Sequence, residues 1–310
     1  MIIHPGVMGI DISKHHLDVF DPAVGHAERF MNDAEAVARL AARGAVGGIF
    51  VLFEATGHYD AVLRRGLVAA GVTFARVNPA RARDFARAAG YLAKTDAVDA
   101  RMLAAMAQCL RPAAQDNPSP ERERLTLLHK RRDQLVATRQ QERTRRCECA
   151  DPDIAADLDR HLDWLDTAIA ALDARIRETL ATDSELERRQ TLLRSAPGVG
   201  PVTAVTLIAL LPELGQRSPK AIAALAGLAP LNRDSGQHRG QRSIRGGRKR
   251  VRDALYMAAL AAVRSKTRFR DRYQAMRAAG KPAKLALIAI ARKLLVTLNA
   301  LVRDRIEFQN

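Results

Sequence analysis

The chain has 310 residues and a formal net charge of +16, because 50 Lys and Arg outnumber 34 Asp and Glu. This length can bury a large core in about two domains, and the charge predicts a polyanionic partner. Aromatic residues make up only 4%, which excludes base stacking as the main contact and favours backbone phosphates. Arg292 and Lys293 interrupt the apolar stretch at residues 285–302, and no export signal opens the sequence. We therefore expect a soluble cytoplasmic protein with no membrane partner and with reduced thiols at its three cysteines.

Short apolar strands alternate with helical patterns in the first third of the chain. Their order, ββαβαβα, is typical of an α/β sheet. A further helix is predicted from Thr95, a residue type that caps helices well. The strands are predicted at residues 7–12, 17–20, 49–53 and 72–77, and the helices between them at 33–42 and 59–70.

A breaker-rich linker at residues 112–120 separates this part from a mostly helical remainder. Residues 121–149 predict a basic helix, and the next segment repeats apolar residues in heptads. The heptads indicate either a helical hairpin that serves as a dimerisation arm or an ordinary amphipathic helix on its own core. The repeat consists of Leu158, Leu162, Leu165, Ile169, Leu172 and Ile176.

Four carboxylates predict a divalent metal site. Asp11 and Glu54 end two apolar strands, and Asp96 and Asp99 share one face at the start of the helix after Thr95. If the strands are neighbours, the four acids can hold two Mg²⁺ ions that cut and rejoin phosphodiesters. The alternative is that these acids are caps and surface partners, since the chain contains 34 acidic residues.

The motif Pro-Gly-Val-Gly-Pro at residues 197–201 predicts a helix-hairpin-helix turn. Gly198 and Gly200 permit the turn, and the backbone N–H groups at the next helix can bind a phosphate without reading bases. A purely structural corner between two helices is the alternative.

Two basic segments predict contact with nucleic acid. One is a Gly-interrupted segment that favours a loop wrapping phosphates, and the other lies on the helix at 121–149, where simple solubility is the alternative. The first contains Arg239, Arg242, Arg245, Arg248, Lys249, Arg250 and Arg252, and the second contains Lys130, Arg131, Arg132, Arg139, Arg143, Arg145 and Arg146.

Ser235 precedes the first basic segment in the sequence Asp-Ser-Gly. Nearby arginines could neutralise the charge that develops when this hydroxyl attacks a phosphate, which makes it a candidate nucleophile. Asp-Ser-Gly is also an ordinary turn sequence, and the residues alone leave both readings open.

Several motifs together resemble a known family. GIDISK around Asp11, FEATGHY around Glu54 and KTDAVDARMLA around Asp96 are followed by APGVGPVTA, DSG at Ser235, and RGGRKRVRDALY from Arg245. In this order they resemble the DEDD transposases of the insertion-sequence family numbered one hundred and ten, whose relatives include proteins that invert DNA segments. The resemblance runs over nearly the whole chain.

The resemblance implies a fold and a domain order. Residues 1–115 would form a RuvC-type, RNase H-like catalytic domain, 116–190 a helical coiled-coil arm, and 191–310 a helical transposase domain with the helix-hairpin-helix turn. The fold class is therefore α/β followed by all-α.

The resemblance also implies a chemistry and a set of partners. Asp11, Glu54, Asp96 and Asp99 would be the Mg²⁺-binding tetrad, and Ser235 would form a covalent 5′-phosphoserine, with Ser243 as second choice. The partners would be double-stranded DNA at element ends and target, a bridge RNA as guide, and further copies of the chain in a dimer or tetramer. A bacterial cytoplasmic protein associated with the nucleoid is expected.

Four functions remain open at this stage. The leading hypothesis is a transposase, and a site-specific DNA invertase differs from it in substrate layout only. A junction nuclease would use the metal domain alone. A non-enzymatic scaffold would bind nucleic acid without using the acids.

Overall fold

A computed structural model describes residues 6–57, 59–91, 93, 95–115, 119–231 and 243–310. The chain divides into two compact units, Met1–Asn117 and Pro118–Asn310. The predicted three-part division at residues 115 and 190 stays a prediction.

A five-stranded mixed sheet forms the centre of the first unit. Its order is β3-β2-β1-β4-β5; β2 runs antiparallel to both β3 and β1, whereas β4 and β5 run parallel to β1. This α/β arrangement fits an RNase H-like domain. The strands are β1 (Val7–Ile12), β2 (His16–Phe20), β3 (Ala27–Met31), β4 (Phe50–Glu54) and β5 (Phe74–Val77).

Helices cover both faces of this sheet. The helices α1 and α2 pack on the face that carries Ile10 and Phe53, while α3 and α4 pack on the face that carries Leu52 and Ala75. As predicted, the hydroxyl of Thr95 caps α4 by accepting a hydrogen bond from the Val98 N–H at 3.3 Å. The helices are α1 (Ala34–Val46), α2 (Ala61–Ala69), α3 (Pro79–Ala88) and α4 (Asp96–Leu110).

The predicted order ββαβαβα was wrong because it omitted β3 and α3. Strand β3 is the sheet edge and has no fully buried residue, so it lacks the apolar pattern of an inner strand. Helix α3 is rich in arginine and buries only Ala82. Neither element therefore has an apolar stripe that periodicity can detect.

Gly9 lets α4 lie directly on β1. A Cβ atom at Gly9 would stand 2.0 Å from the carbonyl oxygen of Ala100 and 2.3 Å from the backbone nitrogen of Ala104. Only a residue without a side chain allows this approach. The contact fixes the first turns of α4 beside the strand that carries Asp11 near its end.

The second unit is helical. Its core joins the base of two long helices with the later helices of the chain, and a two-residue ribbon, β6 with β7, accompanies them. The elements are α5 (Pro120–Glu148), α6 (Pro152–Ala181), α7 (Ser184–Ser195), α8 (Pro201–Leu210), α9 (Pro219–Leu225), β6 (Pro230–Leu231), β7 (Ser243–Ile244), α10 (Lys249–Ala262), α11 (Arg268–Ala278) and α12 (Ala283–Asp304).

Helices α5 and α6 form an antiparallel pair, so the predicted basic helix at 121–149 is confirmed to within one residue. Leu125 and Ile176 belong to the main core of the unit, whereas Leu135, Leu165 and Ile169 form a separate small cluster farther along the pair. The heptad residues thus face α5 in part. Whether the pair also serves as a dimerisation arm stays a prediction.

Helix α12 is long and apolar enough, by composition, to cross a membrane. In this fold Ile290, Leu294 and Leu298 are fully buried in the core of the helical unit. The helix therefore has the burial expected of a core helix.

We predict that Gly9→Ala destabilises the first unit by about 3 kcal/mol, the upper end for a methyl group forced into a packed core. The overlap is with backbone atoms, so no rotamer change can relieve it. Gly44→Ala in α1 is the matched control, because its new Cβ would meet only a Val72 side chain at 3.3 Å. Hydrogen exchange of β1 and α4 amides measures the change. Equal protection in both variants would contradict the close approach.

Candidate functional site

The carboxyl ends of β1 and β4 bring Asp11 and Glu54 together. These strands are parallel neighbours, and Ile10 pairs with Phe53, so the next pair in the register is Asp11 with Glu54. Adjacent parallel strands lie about 4.8 Å apart and paired residues point to the same face. Both side chains are half-buried.

Helix α4 contributes the other two predicted acids. Asp96 and Asp99 lie in its first turn, on the sheet face where Gly9 contacts Ala100. The partial positive charge at a helix N-terminus favours carboxylates there. The first turn of α4 therefore adds two acids beside the end of β1.

Three of these acids interact electrostatically. Burial, followed by the negative charges of Asp99 and Asp96, raises the pKa of Asp11 to about 6. A half-buried carboxyl group beside two further acids is an environment in which a divalent cation favours the ionised form. The donor set of carboxylate oxygens also suits a hard cation.

An arginine that the sequence interpretation missed bridges this group. Arg29 on β3 donates from Nε to Oδ1 of Asp18 at 3.0 Å and from Nη2 to Oδ2 of Asp96 at 2.9 Å. Asp18 is buried and is the cross-strand partner of Asp11. The protein itself thus supplies part of the positive charge between these acids. A prediction of β3 would have found Arg29, because this strand pairs Arg29 with Asp18.

Across the described residues, no three His, Cys, Asp or Glu side chains form a ready ligand set for a metal ion. The carboxylates therefore share one edge of the sheet without the close spacing of a filled site. Closure around an ion therefore requires side-chain movement.

The glycine turn between α7 and α8 has two different glycines. Gly198 has φ +81°, and a Cβ there would stand 2.2 Å from the carbonyl oxygen of Ala258 in α10. Packing against α10 therefore requires Gly198. Gly200 is exposed at the start of α8, and a Cβ there would meet open space.

The prediction of a phosphate-wrapping loop is wrong for Lys249, Arg250 and Arg252, because all three lie in the first turn of α10. A run of basic residues around Gly246 and Gly247 suggested a loop, but the segment from residue 249 has a buried apolar stripe that includes Val251 and Leu255. That stripe fixes the helix.

Two arginines of the first basic segment bind carboxylates elsewhere in the helical unit: Asp133 lies on α5, and Glu213 lies in the turn between α8 and α9. Arg248 contacts both oxygens of Glu213 at 2.6 Å, and Arg250 contacts those of Asp133 at 2.6 and 2.9 Å. Burial raises the pKa of Asp133, yet the hydrogen bond from Arg250 holds it below its ordinary value. Both pairs join α10 to the rest of the unit.

The remaining predicted basic residues fall into two groups. Some have intramolecular partners: Arg132 bonds Asp173 at 2.5 Å, Lys249 bonds Asp253 at 2.7 Å, Arg252 bonds the Gly246 carbonyl at 2.6 Å, and Arg139 bonds Asp166. Arg131, which contacts Gln134, and Arg245 are exposed.

Ser235, Arg239 and Arg242 lie outside the described residues, as does Lys94 beside Asp96. Ser243, the second choice for nucleophile, lies in β7 and is exposed. Its strand pairs with Leu231 of β6.

Comparison with known proteins identifies the family. A transposase model of the DEDD type found in IS110 elements matches residues 8–150, and the model "Transposase IS116/IS110/IS902 family" matches residues 190–274. The pilin gene-inverting protein of Moraxella lacunata is 30% identical over 264 residues, which cover 84% of this chain and 82% of that protein. The chain belongs to the IS110 family of transposases.

Other relatives match over regions of equal or shorter length. The pilin gene-inverting protein of Moraxella bovis matches with the same identity and coverage. An insertion element IS116 protein of Streptomyces clavuligerus is 36% identical over 158 residues, which cover 49% of this chain and 38% of that protein.

Membership of the IS110 family establishes the class of activity. Transposase domains of this family imply a recombinase that cleaves and rejoins DNA. The DEDD domain is a metal-dependent nuclease fold that generally uses a divalent ion. The acidic edge formed by β1, β4 and α4 lies within that matched domain.

We predict that Asp11→Asn raises the melting temperature at pH 8 when no divalent ion is present. The carboxyl has a pKa of about 6 in the folded chain against 3.8 in its ordinary state, so above pH 6 its ionised form opposes folding. As the pH falls through 6 the folded chain takes up the proton and the gain shrinks, and below 3.8 it vanishes. Thermal denaturation across this range checks the sign.

Asp84→Asn is the control, since Asp84 is an exposed carboxylate of α3 in the same unit. A gain that is equal in the two variants, or independent of pH, would contradict the crowding of charge around Asp11.

We further predict that Arg250→Gln lowers the melting temperature of the helical unit, because glutamine cannot donate two hydrogen bonds to Asp133 as Arg250 does. The salt dependence of DNA binding should stay unchanged. Arg131→Gln, at an exposed site, serves as the control. Loss of DNA affinity without a change in melting temperature would instead make Arg250 a phosphate ligand.

Proposed function

We propose that this IS110-family chain is the transposase of an insertion sequence and works with a carboxylate metal site and a serine nucleophile. The observation that carries the proposal is geometric: Asp11 and Glu54 lie at neighbouring ends of β1 and β4, and Asp96 and Asp99 lie in the first turn of α4 on the same face of the sheet. The family match supplies the DNA substrate. We place the protein in the bacterial cytoplasm, associated with the nucleoid.

Mg²⁺ is the ion we propose, held as a pair by Asp11, Glu54, Asp96 and Asp99. Bound there, it would polarise a scissile phosphate and stabilise the charge on its oxygens. The chain's own contribution is orientation: Asp18 holds Arg29, and Arg29 holds one oxygen of Asp96. This contact leaves Oδ1 of Asp96 available to an ion.

Ser235 is the proposed nucleophile. Its Oγ would form a bond to phosphorus while the bond from phosphorus to the 3′ oxygen breaks, so that the serine proton ends on the free 3′-hydroxyl. A 3′-hydroxyl then attacks the 5′-phosphoserine, and the serine leaves with its proton restored. Because the phosphoester is conserved at each step, no ATP is required.

The family resemblance also supports a bridge RNA as guide and an oligomer that combines the metal domain of one copy with the serine domain of another. Within this proposal the α5–α6 pair is the dimerisation arm. The turn at Gly198 and Gly200 acts as a helix-hairpin-helix, in which exposed Gly200 offers its backbone to a phosphate.

A site-specific DNA invertase is the second candidate. The pilin gene-inverting proteins favour it, since this chain aligns with 82% of the relative from Moraxella lacunata. The chemistry would be the same, and the arrangement of the two DNA sites would differ. Element ends at many genomic positions indicate the transposase, whereas inverted repeats flanking one switched gene indicate the invertase.

The test is to trap the protein on cognate DNA in the presence of Mg²⁺ and to map the modified residue by mass spectrometry. We expect a DNA adduct at Ser235, which Ser235→Ala abolishes and Ser243→Ala leaves in place. Asp99→Asn should also remove the adduct while DNA binding persists, because basic surfaces are untouched.

An adduct on Ser243 would show that Ser243, and not Ser235, is the nucleophile. DNA cutting that persists in Ser235→Ala would reject the serine mechanism and favour a junction nuclease. If Asp99→Asn leaves recombination intact, the acids are not the metal ligands.

A further inference from the structure

Residues 264–284 carry a concentration of basic charge that none of the predicted sites includes. The segment holds eight basic residues and one acid, Asp271, so its formal charge is +7. It consists of the start of α12, all of α11 and the turns on either side of α11. We call it the α11 surface, and its basic members are Arg264, Lys266, Arg268, Arg270, Arg272, Arg277, Lys281 and Lys284.

These side chains differ from the predicted nucleic-acid ligands in their partners. Within the described part of the chain, none of the eight forms an ion pair with a carboxylate, and all but the half-buried Arg270 are exposed. Arg248 and Arg250, by contrast, each bind a carboxylate of another element. Arg268 stacks on the Phe308 ring at 4.6 Å and Arg277 donates to the Lys281 carbonyl at 2.5 Å, but neither contact neutralises a charge. Positive charge without a carboxylate partner remains available to an external polyanion.

The surface also has a shape that suits a chain of phosphates. A groove of about 370 Å³ opens at the start of α11, and Lys266, Arg270 and Gln274 line it together with Thr267, Asp271 and Asn310. Cationic and amide donors thus surround one concave strip. Arg277 and Lys281 continue the positive charge toward the other end of the helix.

The aromatic residues of the segment are turned inward. Phe269 is fully buried, and Tyr273 packs against the main core of the unit. No exposed ring in this described segment can therefore stack on a base. The surface offers cationic groups, which suit a phosphate backbone and do not read sequence.

We propose that the α11 surface binds the phosphate backbone of duplex DNA without sequence preference. This inference rests on the proposed function, which makes duplex DNA the substrate. Bringing DNA to the helical unit in this way would leave recognition of sequence to another component. The arginines at the start of α10 then serve the packing of the fold.

The experiment compares two full-length variants that lose the same charge. One is Lys266→Gln, Arg270→Gln, Arg277→Gln and Lys281→Gln combined. The control combines Arg39→Gln, Arg160→Gln, Arg189→Gln and Arg303→Gln, whose arginines already pair with a carboxylate on their own helix at 2.6, 2.9, 2.9 and 2.8 Å. Fluorescence anisotropy of a labelled duplex of unrelated sequence gives affinity against salt.

We expect the slope of log affinity against log salt to fall by about 3 to 4 in the first variant, since each phosphate contact contributes about 0.9. Between 50 and 200 mM salt the wild type should therefore lose roughly 100-fold more affinity than this variant. The control should keep the wild-type slope to within about one phosphate contact. Circular dichroism verifies that both variants fold.

If the glutamine variant unfolds, Lys266→Gln with Lys281→Gln keeps the test decisive, because both side chains are exposed and their loss should still lower the slope by about 2. An unchanged slope in the glutamine variant, or an equal fall in the control, overturns the proposal. The proposal is also overturned if the glutamine variant loses binding to a single-stranded RNA or to anionic vesicles but keeps its affinity for the duplex.

The result separates this inference from the proposed function. If wild type forms the serine adduct but the glutamine variant keeps its slope, only the α11 surface is wrong. If the slope falls as expected but no adduct forms on cognate DNA, the surface stands and the proposed mechanism fails.

Discussion

The contact between Gly9 and α4 is the constraint on which the acidic edge depends. Asp11 lies two residues beyond Gly9, and Asp99 directly precedes Ala100, whose carbonyl would clash with any side chain at Gly9. The distance between strand and helix axes therefore sets the distance between the acids. Repulsion among these carboxylates opposes the packing, and Arg29 with the α4 N-terminus offsets part of it.

In the helical unit, the carboxylates near a basic side chain decide whether its charge is paired or faces solvent. Its position in a basic segment of the sequence does not. Arg248 and Arg250 stand among the densest positive charge of the sequence, yet each contacts both oxygens of one carboxylate. Their guanidinium groups connect α10 to other parts of the core. Residues around α11 have a similar composition and no such carboxylates, so their charge faces solvent. Basic residues that pair with carboxylates and basic residues that face solvent thus occupy neighbouring segments.

Much of the first unit could be predicted from sequence, because inner strands and amphipathic helices leave a periodic signal and Thr95 marks the start of α4. Hydrophobic periodicity does not predict the register that pairs β1 with β4. The rule that charged residues mark the ends of buried strands nevertheless selected Asp11 and Glu54. Arg29 could not be found, since edge strand β3 has no apolar alternation and its role depends on a cross-strand neighbour. The partners Glu213 and Asp133 are distant in sequence from the arginines they bind, so local reading of the basic segment failed there.

The α5–α6 pair changes its chemistry along its length. Leu125 and Ile176 tie its base to the main core, whereas the ion pairs of Arg146 with Asp159 and of Arg139 with Asp166 connect the two helices in its outer part. Apolar burial is insensitive to ionic strength in the range where surface ion pairs are screened. At high salt the outer parts of α5 and α6 can therefore separate while the base of the pair, which apolar contacts hold, stays packed. The pair thus combines a rigid base with an outer part whose opening depends on ionic strength.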